Sequence, residues 1–224
     1  MNLRCTKAGT TISTIASLSL AVLLISLIAL PRCSNKGIAT ETKTTQPEIP
    51  ADFTTYTDEV GLFSVSYPSD WEPALSVIPD LETGVKDVIK AIDSNLPLDK
   101  VRYIFFAGIP TETGYMPNVN IGVEPYLAGI YTHDAMMEAE IRGMKRLVPD
   151  IRILSQTKTN VGGREATILE TVGTYPQLGE IHQLVLVVSV GRTVWAVTCT
   201  PPQGEFDAWK NDFNATMRSL RILK

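Results

Sequence analysis

Four stretches of alternating polarity, crowded between residues 151 and 200, constrain this chain more than any other feature. They are IRILSQT (151–157), REATILETVG (164–173), EIHQLVLVVSV (180–190) and RTVWAVTCT (192–200), each with the two-residue period of a β-strand. Gly191 separates the last two by a tight-turn position, and Asn160 to Gly163 offers a similar turn between the two before them. Strands joined this closely pair antiparallel, so the second half of the chain is expected to be a meander rather than a series of βαβ crossovers.

Three earlier stretches extend the pattern. In LFSVSYP, Phe63, Val65 and Tyr67 face one way and Ser64 and Ser66 the other, with Pro68 ending the strand. VRYIFFAGI sets Val101, Tyr103, Phe105 and Ala107 against Arg102, Ile104 and Phe106, and NVNIGVEP sets Val119, Ile121 and Val123 against Asn118, Asn120 and Gly122. The intervening AGIPTETGYMPN (107–118) reads as a flexible surface loop. Helical spacing appears over 132–148, where Met137, Ile141, Met144 and Val148 form a stripe behind the capping residue Thr132. It appears again in Phe206, Trp209, Phe213, Met217 and Leu220, with Thr200, Pro201 and Gln203 fitting a capped start, and more weakly over 81–93. The expected fold is α+β: a central antiparallel sheet of about six or seven strands sandwiched by helices.

The N-terminus has a different character. Residues 8–31 carry no charge and follow Arg4 and Lys7, as in a signal peptide or a single membrane anchor. Leu30 lies three places before Cys33, and a polar stretch follows, which fits cleavage and lipidation at Cys33; Pro31 and Arg32 fit an uncleaved anchor or ordinary secretion equally. In each case the rest of the chain lies on the extracytoplasmic face of a membrane. Residues 34–55, rich in Thr, Pro, Lys and Glu, read as a flexible tether, which gives the division 1–33 signal or anchor, 34–55 tether and 56–224 folded domain. That last part, roughly 170 residues, suits one domain.

The net charge is −4, and Arg4, Lys7 and Arg32 lie in the first 33 residues with no acid, so the remainder carries −7. A field of that sign disfavours nucleic acid as a partner. Cys199 is the one cysteine of the folded part, so no disulfide is expected within it.

The lead-in TYTDEVGLFSVSYPSDWEP, the strand NVNIGVEP and the close GRTVWAVTCTPPQGEFDAWKNDFNATMRSLRI together resemble the PsbP-like domain family, which includes the extrinsic oxygen-evolving protein of photosystem II. The resemblance is carried by Tyr56 and Gly61, then Tyr67, Pro68 and Trp71, and a terminal helix with Trp209, Phe213 and Ser219. It implies an antiparallel sheet sandwiched by helices and a place on the outer side of a membrane. For photosynthetic members it implies docking on a membrane complex, and its bacterial relatives include many lipoproteins. Departures occur at Leu220, at Cys199, in the added segment 80–97 and in the short tether that replaces a long basic extension.

Residues suited to chemistry are few. His133 opens a helix beside Asp134 and reads as solvated; Glu180 and His182 share a strand face and form the one weak metal candidate, with only two ligands. Cys199 shares a face with Trp195 and Val197, as a buried inert thiol would. No nucleophile elbow, phosphate loop or calcium loop is present, so no catalytic residue, cofactor or metal is assigned. The expected function is a non-enzymatic, membrane-tethered accessory module that docks on an envelope protein complex. A small-ligand or metal-ion binder is the alternative, and an enzyme of unknown class a further one.

Overall fold

A computed structural model describes residues 49–80, 83, 102–111, 114–125, 132–175 and 179–223. The signal-like segment, Cys33, nearly all of the tether and the weak helix expected over 81–93 lie outside the described residues, apart from Thr83.

The meander forms as the sequence implies. Strands β4 (Arg102–Thr111), β5 (Gly114–Pro125), β6 (Arg152–Val161), β7 (Arg164–Tyr175), β8 (Gly179–Val190) and β9 (Thr193–Thr200), with the short β3 (Glu72–Pro73), make one antiparallel sheet in the order β3-β4-β5-β9-β8-β7-β6. The β6–β7 turn uses Gly162 and Gly163 at φ of 58° and 84°, a backbone twist that matches the flanking strands, and Asn160 Oδ1 accepts from the Gly163 amide at 2.7 Å. Helix α1 (His133–Leu147) packs on one face of this sheet, capped by Thr132, whose hydroxyl accepts from the Ala135 amide. Helix α2 (Phe206–Ser219) packs on the other.

The α2 side carries a second sheet that the strand pattern did not separate from the first. It consists of β1 (Phe53–Thr57), β2 (Phe63–Pro68) and β10 (Arg221–Ile222), in the order β1-β2-β10. Phe53 to Thr55, assigned to the tether by composition, pair with β2 from Pro68 to Ser66, so the ordered domain begins earlier than residue 56. Ser66 is buried rather than outward, because Ser219 at the end of α2 meets it. Its Oγ accepts from the Ser66 amide at 2.7 Å and lies 3.2 Å from the Ser66 carbonyl.

Three local expectations are corrected. The alternation in β4 is broken by a register shift between Tyr103 and Phe105, so Tyr103 and Phe106 join the α1-side core while Phe105 and Ala107 join the α2-side core. Residues 107–111 and 114–118 are strand rather than surface loop: β4 and β5 pair as far as Thr111 and Gly114, with a second irregularity between Gly108 and Pro110. Gly108 allows this, because a Cβ there would lie 2.5 Å from the Pro117 carbonyl oxygen. Finally, α2 starts at Phe206 without a side-chain cap, since Thr200 still belongs to β9 and its hydroxyl accepts from Gln183 Nε2 at 2.9 Å.

Two cores result. The α2 side gathers Phe63, Phe105, Trp195, Phe213 and Met217, with Trp209 packed against them; the α1 side gathers Met136, Met137, Met144, Leu169 and Val187. Among the described residues no helix is long and apolar enough to cross a membrane.

Candidate functional site

The unusual surface is an inner one. On β5 the polar residues set opposite Val119, Ile121 and Val123, namely Asn118 and Asn120, are 0% exposed, and Glu124 on the same face is 4% exposed. Cross-strand register continues this polar face: Asn118 lies opposite Thr200, Thr200 is next to Gln183, and Gln183 is opposite Thr171, all buried. Tyr175 donates to Gln183 Oε1 at 3.1 Å and Gln183 donates to Thr200 Oγ1 at 2.9 Å, so this row is largely satisfied. Asn120 is different: neither its carboxamide oxygen nor its nitrogen has a hydrogen-bond partner among the described residues. An unmet buried amide costs about 1–3 kcal/mol per group, which singles this position out on a central strand.

Further along the same face, Glu124 meets Glu140 of α1, and both are 4% exposed. Burial, then the charge and hydrogen bond of Glu140, push the Glu124 carboxyl well above the ordinary range. A hydrogen bond joins the two carboxyls, and burial favours the protonated form of Glu124. The sequence reading gave Glu140 no role. The usable signal was its spacing: Met136, Met137, Glu140 and Met144 lie on one helical face, and that face is apolar.

His133 is also corrected. It is 6% exposed, not solvated, because the first turn of α1 presses onto the sheet. Nδ1 lies 2.9 Å from Ser189 Oγ on β8 and Nε2 lies 2.8 Å from Thr167 Oγ1 on β7. Desolvation lowers its pKa, more than the nearby Glu165 and Asp134 raise it.

On the opposite face His182 has a partner that the sequence did not indicate. Its Nε2 is 3.0 Å from Glu170 Oε1 on β7, its ring stacks on Phe206 at 3.4 Å between centroids, and Lys210 donates to Glu170 Oε2 at 2.8 Å. The pair that forms is therefore Glu170 with His182, while Glu180 is exposed at the end of β8. Lys210 already neutralises Glu170, so the cluster works as a clamp between α2 and the sheet. Among the described residues no group of three or more His, Cys, Asp or Glu side chains could hold a metal ion. Cys199 is fully buried, and burial raises its thiol pKa far above the usual value.

The outer surface has one apolar corner. Val60, Leu62 and Leu223 are 64%, 38% and 53% exposed, and the Leu223 amide donates to the Leu62 carbonyl at 2.8 Å. The corner lies at the Thr57 end of β1, whereas the chain enters β1 from the tether at Phe53, beside Pro68.

No protein-family model and no curated protein matches the chain. Among solved structures it is similar to cyanobacterial PsbP (CyanoP) from Synechocystis sp. PCC 6803, with a TM-score of 0.51 and 14% identity over 86% of this chain and 98% of that one. A Pseudomonas aeruginosa protein of unknown function scores 0.44 at 10% identity, covering 75% of this chain and 96% of that one. A Bacteroides thetaiotaomicron protein scores 0.44 at 14% identity, covering 77% and 49%. The chain has the PsbP-like fold expected from its sequence, and the likeness to CyanoP extends to fold alone.

Proposed function

We propose that this chain is a non-enzymatic accessory module, held at the extracytoplasmic face of a membrane by its N-terminal segment, which docks on an envelope protein complex. The observation that carries the reading is the placement of the exposed Val60–Leu62–Leu223 corner at the far end of β1 from the tether. Five strand residues separate the two, about 17 Å, so a tethered domain presents the corner away from its point of attachment. Contiguous exposed apolar side chains mark interaction sites more often than scattered ones do. The fold shared with CyanoP agrees with a module of this kind, and attachment through lipidated Cys33 or an uncleaved helix belongs to the same proposal.

A photo-crosslinking residue placed at Leu223 in the intact membrane-bound protein tests docking, with Leu154, 47% exposed on the edge strand β6, as control. Discrete adducts from Leu223 and none from Leu154 are expected; equal or absent adducts at both positions would overturn the docking reading. Cys33→Ser should abolish labelling by a palmitate analogue if the anchor is a lipid. The small-ligand alternative draws support from Asn120, whose buried carboxamide is left without a protein partner.

A further inference from the structure

The attachment of α1 to the sheet depends on the protonation state of a side chain at its first residue. His133 anchors the helix N-terminus between β7 and β8, with Nδ1 2.9 Å from Ser189 Oγ and Nε2 2.8 Å from Thr167 Oγ1. A neutral imidazole, donating to one hydroxyl and accepting from the other, satisfies both contacts. A second ring proton makes the accepting nitrogen a donor, so one hydroxyl must turn its hydrogen away, and it places a charge on a ring 6% exposed beside Thr167, which is 0% exposed.

Among the described residues no carboxylate contacts the ring to offset that charge. From β7, Glu165 is exposed and acts only at a distance; from β6, Lys158 is tied to Asp134 and opposes protonation; β8 offers Ser189; on α1 itself Asp134 faces Lys158. Glu124 and Glu140, a further titratable contact of α1, suit acid conditions, since burial favours the protonated form of Glu124.

The opposite end of the helix is secured differently. Val148 and Ile151 pack against Gly173, with Val148 Cγ1 only 2.8 Å from where a Cβ would be. The Asp150 carboxylate accepts from the Thr174 amide at 3.1 and 3.2 Å, and hydrogen bonds from the Thr174 side chain and then its amide hold the Asp150 pKa below the ordinary range. One end therefore loosens in acid and the other does not.

We propose that α1 is an acid-released cover: protonation of His133 undoes its attachment to β7 and β8, and the helix swings about residues 148–151 to bare the methionine-lined α1-side core. The three tryptophans, Trp71, Trp195 and Trp209, all lie in or against the other core, so the two faces have separate reporters. Met136, Met137 and Met144 report on the face under α1.

The test uses the intact chain in detergent micelles, labelled at methionine methyls, followed by NMR from about pH 8 to about pH 4.5 together with tryptophan emission. Loss of the native Met136, Met137 and Met144 resonances in step with titration of the His133 ring, while tryptophan emission stays native, is the expected result. Simultaneous change of methionines and tryptophans would mean global unfolding, and unmoved methionines would mean a cover that stays shut; either overturns the proposal. His133→Gln keeps hydrogen-bonding capacity without a titrating ring and should retain the native methionine resonances through the same range. Persistence of the transition in that variant also refutes it. The comparison of the two reporters is made on the unmodified chain and decides the matter even if the variant does not fold.

Discussion

Truncating Phe213 to Ala tests the packing on which the α2 side rests. Phe213 is 0% exposed, with Trp71 edge-on at 6.2 Å and Trp209 at 6.5 Å between centroids, and the sheet lies beneath. Its removal loses the transfer energy of the ring and leaves a cavity that surrounding aromatics, fixed by their own contacts, fill only in part. The expected cost is about 3–5 kcal/mol. Trp209 lies in the same stripe but is half-buried, and its indole nitrogen donates at 3.3 Å to the exposed Glu205. Its truncation should cost only about 1–2 kcal/mol, since much of its surface stays in water before and after. With a urea m-value of about 2–3 kcal/mol/M, Phe213→Ala should lower the midpoint by about 1–2.5 M and Trp209→Ala by about 0.3–1 M. Equilibrium unfolding followed by far-UV circular dichroism gives both numbers. A midpoint unchanged in Phe213→Ala, or a larger loss in Trp209→Ala, would show that α2 does not seal this core as described.

Gly108→Ala should destabilise by about 1–3 kcal/mol, toward the upper end because its Cβ would meet the Pro117 carbonyl rather than a side chain that can turn away; thermal unfolding measures it. Glu124 has a folded pKa raised above its unfolded value, so its contribution is fully present below the ordinary carboxyl range and is lost as pH rises through the raised folded value. Glu124→Gln should flatten that decline, and urea midpoints taken across pH would show an unchanged slope if the burial argument is wrong. Cys199 should resist a thiol reagent in the folded protein and react only on unfolding, in a background with Cys5 and Cys33 replaced by Ser; fast labelling under native conditions would contradict its burial.

Where local chemistry decides the structure, the sequence was readable. Gly162, Gly163 and Gly191 with positive φ, the Thr132 cap and the stripe from Met137 to Val148 all correspond to features within a few residues of one another. What could not be read depends on contacts between distant parts of the chain. Asn118 and Asn120 look like a solvent face from their own strand, and only the covering of that face buries them. His133 looks like a solvated helix start until Thr167 and Ser189, 34 and 56 residues later, close on its ring. Phe53 to Thr55 look like tether in sequence because their order comes from pairing with β2. The facing of Tyr103 relative to Phe105 turns on a bulge, which the alternation of residue types in β4 does not record.

The small sheet has a consequence for how the molecule is made. Its central strand β2 is flanked by β1 on one side and on the other by β10, which consists of Arg221 and Ile222, nearly the last residues of the chain. The Ser66–Ser219 bond spans 153 residues of sequence, so β2 leaves the ribosome long before the residues that complete it. Such non-local closure slows folding, because the entropy of closing a long loop must be overcome before the contact stabilises anything. A growing chain can assemble the β6 to β9 meander from neighbours, yet the second sheet stays unfinished until Arg221 and Ile222 have been made. These two residues thus act as a fastener, and a ribosome-stalled chain that stops before them should remain open to proteases on the α2 side while its meander is already protected.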